Sequence, residues 1–262
     1  MTSTVKGVLF DLDNTLIDWR GAGDWSDVER KNLGLVYDYL TAQGCPLKGS
    51  LDDLCIHFRS LAVEAWGQAR TNLRAPQIIT VMERALARFG FTPDEQITMK
   101  DVMIAYDWRV VNGVMPFPDV PSALANLREQ GIAIGIVTNA WQPMWLRDAE
   151  LEHHDLIQYF PQANLRISAA DVGYLKPHPN IFQHALKELG TRPQETLFIG
   201  DNPTADISGA QQAGMRAVLR VFDLNEPTRT MIEPDATIDS LEQLLLLVDN
   251  WDEHVTVFSN GV

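Results

Sequence analysis

The chain has little cysteine: Cys45 and Cys55 are the only two in 262 residues, and their spacing fits neither a zinc site nor a redox pair. They are expected to be reduced, buried thiols, which excludes a disulfide-stapled fold. Basic side chains are also scarce, with 21 Lys and Arg against 35 Asp and Glu and a net charge of −14. So acidic a surface has little with which to displace counterions from nucleic acid or to adhere to an anionic bilayer, and neither partner is expected. Long apolar runs are missing as well. The most apolar stretch, Leu244 to Val248, is far too short to span a membrane. No basic segment followed by an apolar core opens the sequence, so the chain reads as soluble and cytoplasmic. Its histidines, including the pair His153-His154 and the turn residue His178, show no ligand spacing. There is no internal repeat and no low-complexity run.

What the chain has is apolar material, 45% of its residues, including seven Trp and ten Phe, enough to fill a large core. Val5, Val8, Leu9 and Phe10 read as a buried strand of a parallel sheet that stops in Asp11-Leu12-Asp13-Asn14-Thr15. Ligands of such sheets bind outside the carboxyl ends of the strands, where Asp11 and Asp13 fall. Ile132 to Val137 is a second strand, ending in Thr138-Asn139 and preceded by a helix with Asp119 as its cap and Gly131 past its end. Asn164 to Ile167 is a weaker third strand. Ile181, Phe182, Ala185, Leu186 and Leu189 follow at helical spacing, closed by Gly190. Thr196 to Gly200 is a strand ending in Asp201, a helix is expected from about Asp206 to Gly214, and Ala217 to Val221 gives a fifth strand. This alternation predicts an α/β fold, a Rossmann-like doubly wound parallel sheet.

Between Leu16 and about Met115 the periodicity turns helical, as in Leu33, Tyr37 and Leu40, then Ile78, Met82, Leu86 and Phe89. The expected organisation is a core of residues 1–17 and 116–248, an inserted all-helical cap of residues 18–115, and a C-terminal tail of residues 249–262. Pro116-Phe117-Pro118 forms a stiff return to the core, and Asn112-Gly113 is a candidate hinge.

Asp11, Asp13, Asp201 and Asp206 should converge at the ends of adjacent strands, where their mutual repulsion calls for a cation. An all-oxygen set with room for water suits Mg²⁺ better than zinc. Asp206 has an alternative role as the N-cap of its helix. Trp19, Arg20 and Trp25, together with Trp141 and Trp145, follow the strand-end segments closely. Trp19, Arg20 and Trp141 are candidates for choosing the substrate, with packing in the core as the alternative for the tryptophans.

Asp11-Leu12-Asp13-Asn14-Thr15, then Ile136-Val137-Thr138-Asn139, then Lys176-Pro177-His178-Pro179, then Gly200-Asp201-Asn202-Pro203-Thr204-Ala205-Asp206, in this order, resemble the haloacid dehalogenase superfamily, in the branch with a helical cap after the first strand. The resemblance implies a phosphomonoester hydrolase acting on a small phosphorylated metabolite. Asp11 would be the nucleophile that forms an aspartyl-phosphate. Asp13 would turn toward the leaving group as general acid and then base. Thr138, Asn139 and Lys176 would bind the phosphoryl group. A side-chain oxygen of Asp11, the backbone carbonyl of Asp13, Asp201 and Asp206 would hold Mg²⁺. Asp at position 13 disfavours dehalogenation. A sugar phosphomutase and a non-catalytic phosphate-binding regulator remain as alternatives, and the oligomeric state is not legible.

Overall fold

In the computed structural model, residues 5–222 and 231–249 are described; the tail beyond Asp249 lies outside them. Six parallel strands form one sheet in the order β5-β4-β1-β6-β7-β8: β1 (Gly7–Phe10), β4 (Ala133–Thr138), β5 (Arg166–Ser168), β6 (Thr196–Gly200), β7 (Arg216–Arg220) and β8 (Ala236–Ile238). The chain builds outward from β1 through β4 to β5, then returns to β6 on the other side of β1. The carboxyl ends of β1 and β6 therefore flank the topological switch point, where a crevice opens in sheets of this kind.

Side chains of the strands alternate between two cores, as a period of two requires. Val8, Phe10, Leu197 and Ile199 pack on one side with Leu124 and Leu127 of α5 (Val120–Glu129) and Leu244 and Leu247 of α10 (Glu242–Asp249). Leu9 and Phe198 face Phe182, Ala185 and Leu189 of α8 (Pro179–Leu189). Asp119 stands at the cap position of α5, but its side chain makes no capping bond. It accepts instead from Arg220 at 2.9 Å and from the Leu241 N–H at 2.7 Å, because a buried guanidinium needs a carboxylate more than a helix end does.

Four helices, α1 (Trp25–Ala42), α2 (Leu51–Asn72), α3 (Ile78–Arg88) and α4 (Met99–Tyr106), gather a separate core that includes Leu33, Leu40, Phe58, Met82 and Leu86. Ser50 with Asp53 and Thr98 with Asp101 form reciprocal capping boxes that fix the starts of α2 and α4. The insertion is not entirely helical. Ile17–Asp18 (β2) and Met115–Pro116 (β3) pair antiparallel at its neck. Just above them Gly21 and Gly113 lie so close that a Cβ on either would overlap the other's carbonyl oxygen, so glycine is needed at both crossings. Among the described residues no helix is long and apolar enough to cross a membrane.

Candidate active site

β1 delivers Asp11 to the end of the sheet, 6% exposed, and the chain then turns tightly. The Leu12 carbonyl accepts from the Leu16 and Ile17 N–H groups. Asn14 takes a φ of 62°, a conformation that asparagine tolerates better than most residues. β6 ends at Gly200, and Asp201 follows. A π-helical turn, Pro203–Ser208, comes next, and its N-cap is Asn202, whose side chain accepts from the Thr204 and Ala205 N–H groups. Asp206 is thus not the N-cap. It lies within the turn with its carboxylate against Gly200, where a Cβ would collide with it, and it accepts from the Asn202 N–H at 3.0 Å.

Asp11, Asp201 and Asp206 each present an oxygen within 4.8 Å of the others. Lys176, 3% exposed, enters this cluster from the loop before α8. Its Nζ lies 2.5 Å from Asp11 Oδ1, 2.8 Å from Asp206 Oδ1 and 2.7 Å from the Val137 carbonyl. Burial pushes the Asp11 carboxyl well above its ordinary range; Lys176 opposes that rise, and the neighbouring carboxylates add to it. Burial also lifts Asp201, to about 6, with Asp206 adding repulsion. One ammonium thus answers three clustered carboxylates, and the remaining excess of negative charge, on oxygen alone, is the donor chemistry of a hard divalent cation.

Asp13 departs from the expected arrangement. Its carboxylate takes a two-pronged bond from Arg147, at 2.6 and 3.1 Å, and Thr138 Oγ1 donates to it at 3.4 Å. Burial alone would raise this carboxyl, but Arg147 outweighs it and holds the group below its ordinary value. In this state Asp13 is an ionised acceptor, not a proton carrier. Arg147 in turn binds Glu150 at 2.7 Å, and burial lifts that carboxyl to about 7. Sequence reasoning missed both residues. The signal was there: Met144, Arg147 and Leu151 share one face of α6 (Met144–His153), so a charge stands in a core register.

Asn139 does not offer its side chain to a ligand. Its amide clasps the backbone of Lys176, accepting from the N–H at 2.7 Å and donating to the carbonyl at 3.1 Å. The Thr138 hydroxyl also accepts from the Ala140 N–H. Arg20 is turned away from the site. Asp18 holds it at 2.6 and 2.9 Å, and its guanidinium lies over Phe222. Trp19 and Trp141 do line a cavity of about 590 Å³ that reaches Asp13, Asn139 and Arg147. Trp25, Trp66 and Trp108 complete its aromatic wall, whereas Trp145 is exposed on α6 and is not part of it.

A sequence model described as haloacid dehalogenase-like hydrolase matches residues 62–220. Over almost their whole lengths, two phosphatases align with the chain. A glyceraldehyde 3-phosphate phosphatase of Methanopyrus kandleri is 32% identical, covering 93% of this chain and 97% of its own. A phosphoglycolate phosphatase of Salmonella typhi is 34% identical, covering 92% and 91%. The crystal structure of a 2-haloacid dehalogenase from Pseudomonas syringae superposes with a TM-score of 0.65 at 27% identity, covering 94% of this chain and 99% of that one. Carboxylates at the switch point, a buried lysine between them and this full-length likeness place the chain in the haloacid dehalogenase-like hydrolase family, among its phosphatases.

Proposed function

We propose that the protein hydrolyses phosphomonoesters of small metabolites through an aspartyl-phosphate on Asp11, with Mg²⁺ as cofactor. The observation that carries this reading is the convergence of Asp11, Asp201 and Asp206 with Lys176 at the switch point. Asp11, Asp201 and Asp206, with the backbone carbonyl of Asp13, would hold the ion. When bound, Mg²⁺ supplies positive charge that offsets the repulsion between phosphate and carboxylates.

Asp11 attacks phosphorus in line, and the bond to the leaving oxygen breaks with its electron pair staying on that oxygen. Lys176 opposes the rise that burial imposes on the Asp11 carboxyl and marks where phosphoryl oxygens gain charge. Asp13, already ionised by Arg147, is set to accept the proton of the water that cleaves the aspartyl-phosphate. To protonate the leaving oxygen first, it must exchange Arg147 for a proton. The helices of residues 18–115 act as the cap that closes over this chemistry.

The test is phosphate release from a panel of phosphomonoesters, glyceraldehyde 3-phosphate and phosphoglycolate among them, with Mg²⁺ and with excess chelator. Turnover that appears with Mg²⁺ and disappears with chelator is expected. No release from any ester would refute the hydrolase, and undiminished release in chelator would refute the cofactor.

A further inference from the structure

We infer that the leaving group of the natural substrate carries a planar aromatic or heteroaromatic ring that stacks in the tryptophan-lined cavity; this rests on the phosphatase reading above.

The cavity is continuous with the chemistry, since Asp13 and Asn139 form part of its wall, yet five of its sixteen lining residues are tryptophans. Trp66 of α2 and Trp141 lie 6.1 Å apart between ring centres. Trp19 and Trp108 are stacked at 5.7 Å, and Trp25 is tilted against both at 5.9 and 5.7 Å. Trp141 and Trp108 are anchored in the helical core, which holds these faces in place. Core packing does not account for all of them: Trp66 is only partly buried, and Trp25 remains 47% exposed.

The charges of the wall are mostly matched. Glu29 holds Arg59 at 2.8 Å, and Asp13 holds Arg147. Arg70 is the lining cation for which the described residues supply no ion pair. It suits a ring bearing a polar or anionic substituent.

Volume argues in the same direction. A two- or three-carbon acid or aldehyde leaves most of about 590 Å³ unfilled and presents almost no apolar surface to indole faces. Cavities of this size that present several indole side chains match ring-sized ligands. Aromatic pairs in offset or tilted contact gain free energy beyond their buried area, so a ring between two such faces is favoured about tenfold over an aliphatic group of similar size.

The experiment compares esters of equally poor leaving alcohols, so that intrinsic reactivity does not decide the outcome. Benzyl and 2-naphthylmethyl phosphate are set against cyclohexylmethyl phosphate, ethyl phosphate and phosphoglycolate, with Mg²⁺. We expect kcat/KM to be about tenfold higher for the aromatic esters. Equal or lower values, with the small esters still hydrolysed, overturn the inference and leave the hydrolase standing. If no ester turns over, the hydrolase fails, and 2-naphthylmethylphosphonate tests the cavity by itself: saturable quenching of tryptophan emission, absent with methylphosphonate, supports a ring-binding cavity, and its absence overturns the inference. Trp66→Leu should lower the aromatic-to-aliphatic ratio about fivefold, while the exposed, off-site Trp145→Leu should not. Should Trp66→Leu fail to fold, Trp25→Leu, at a half-exposed position, carries the same expectation.

Discussion

On the sheet side of the cavity, Asp11, Asp206 and Lys176 are almost wholly buried, and every one of them is bound to another charge. On the helical side the wall sets Trp19, Trp25, Trp66 and Trp108 beside Glu29, Arg59 and Arg70. The sheet side is costly to desolvate and tolerates no lost partner. The indole part of the helical side tolerates exchange of one large side chain for another. Chemistry is therefore built where the backbone is most constrained, at strand ends fixed by parallel pairing on both flanks. On the function proposed above, choice of substrate would rest on helices whose core also takes in Trp141 and Leu146.

The sharpest way to break this contrast is Asp11→Asn. The substitution keeps the shape and removes the attacking oxygen, so turnover should fall on the order of 10³-fold or more. Phosphate release measures the loss, and an unchanged circular dichroism spectrum checks the fold. Near-normal turnover, with the substitution confirmed by mass, would end the covalent route.

Next in size is Lys176→Met, which leaves Asp11 and Asp206 facing each other without their cation. Urea unfolding without metal should show a loss of about 3–5 kcal/mol, as for breaking a buried pair from one side. Mg²⁺ should recover more stability in this variant than in the wild type, because it then supplies the only cation in the cluster. A variant as stable as wild type without metal would mean that the carboxylates are neutral as folded.

Arg147→Gln tests the boundary between the two regions. Arg147 holds Asp13 below its ordinary value, so its removal should raise that pKa. The ionised base is then lost at higher pH, and the acid limb of the kcat profile should move upward. A limb that stays in place would assign it to another group.

Asp11, Thr138 and Asp201 were legible in the sequence for one reason: each ends or closely follows an apolar run, and in parallel sheets such ends converge; Lys176 was legible only through the motif it shares with the family. β8 was not legible, since three residues, Ala236–Ile238, carry too little pattern to stand out from a turn. The helix expected from Asp206 begins instead at Pro203, because Asn202 offers the same capping chemistry four residues earlier. Arg20 sits near the motif in sequence, but Asp18, two residues away, captures it. Trp66 and Trp108 are distant in sequence from every motif, and only the folding of the helical insertion brings them to the cavity. Arg147 and Glu150 were passed over because charged residues are read as solvated, although their helical register faced inward.

The smallest effect concerns Glu150, which shares Arg147 with Asp13 from the far side. Burial raises its carboxyl from an ordinary 4.5 to about 7; Arg147 opposes the rise and Asp13 adds to it. Between those two values the folded protein retains a proton that the unfolded chain has released, so the native state binds more protons there. Stability therefore falls as pH rises through this window, and the stabilisation from the retained proton is fully present only below about 4.5. Glu150→Gln removes the titrating group while keeping an oxygen for Arg147 Nε. The melting temperature of the wild type, relative to the variant, should fall between pH 5 and 7.5 and be level above that range. A difference that does not change with pH would mean that Glu150 is ionised throughout, with Arg147 divided equally between its two carboxylates; Asp13 would then be held less firmly than the two-pronged contact implies.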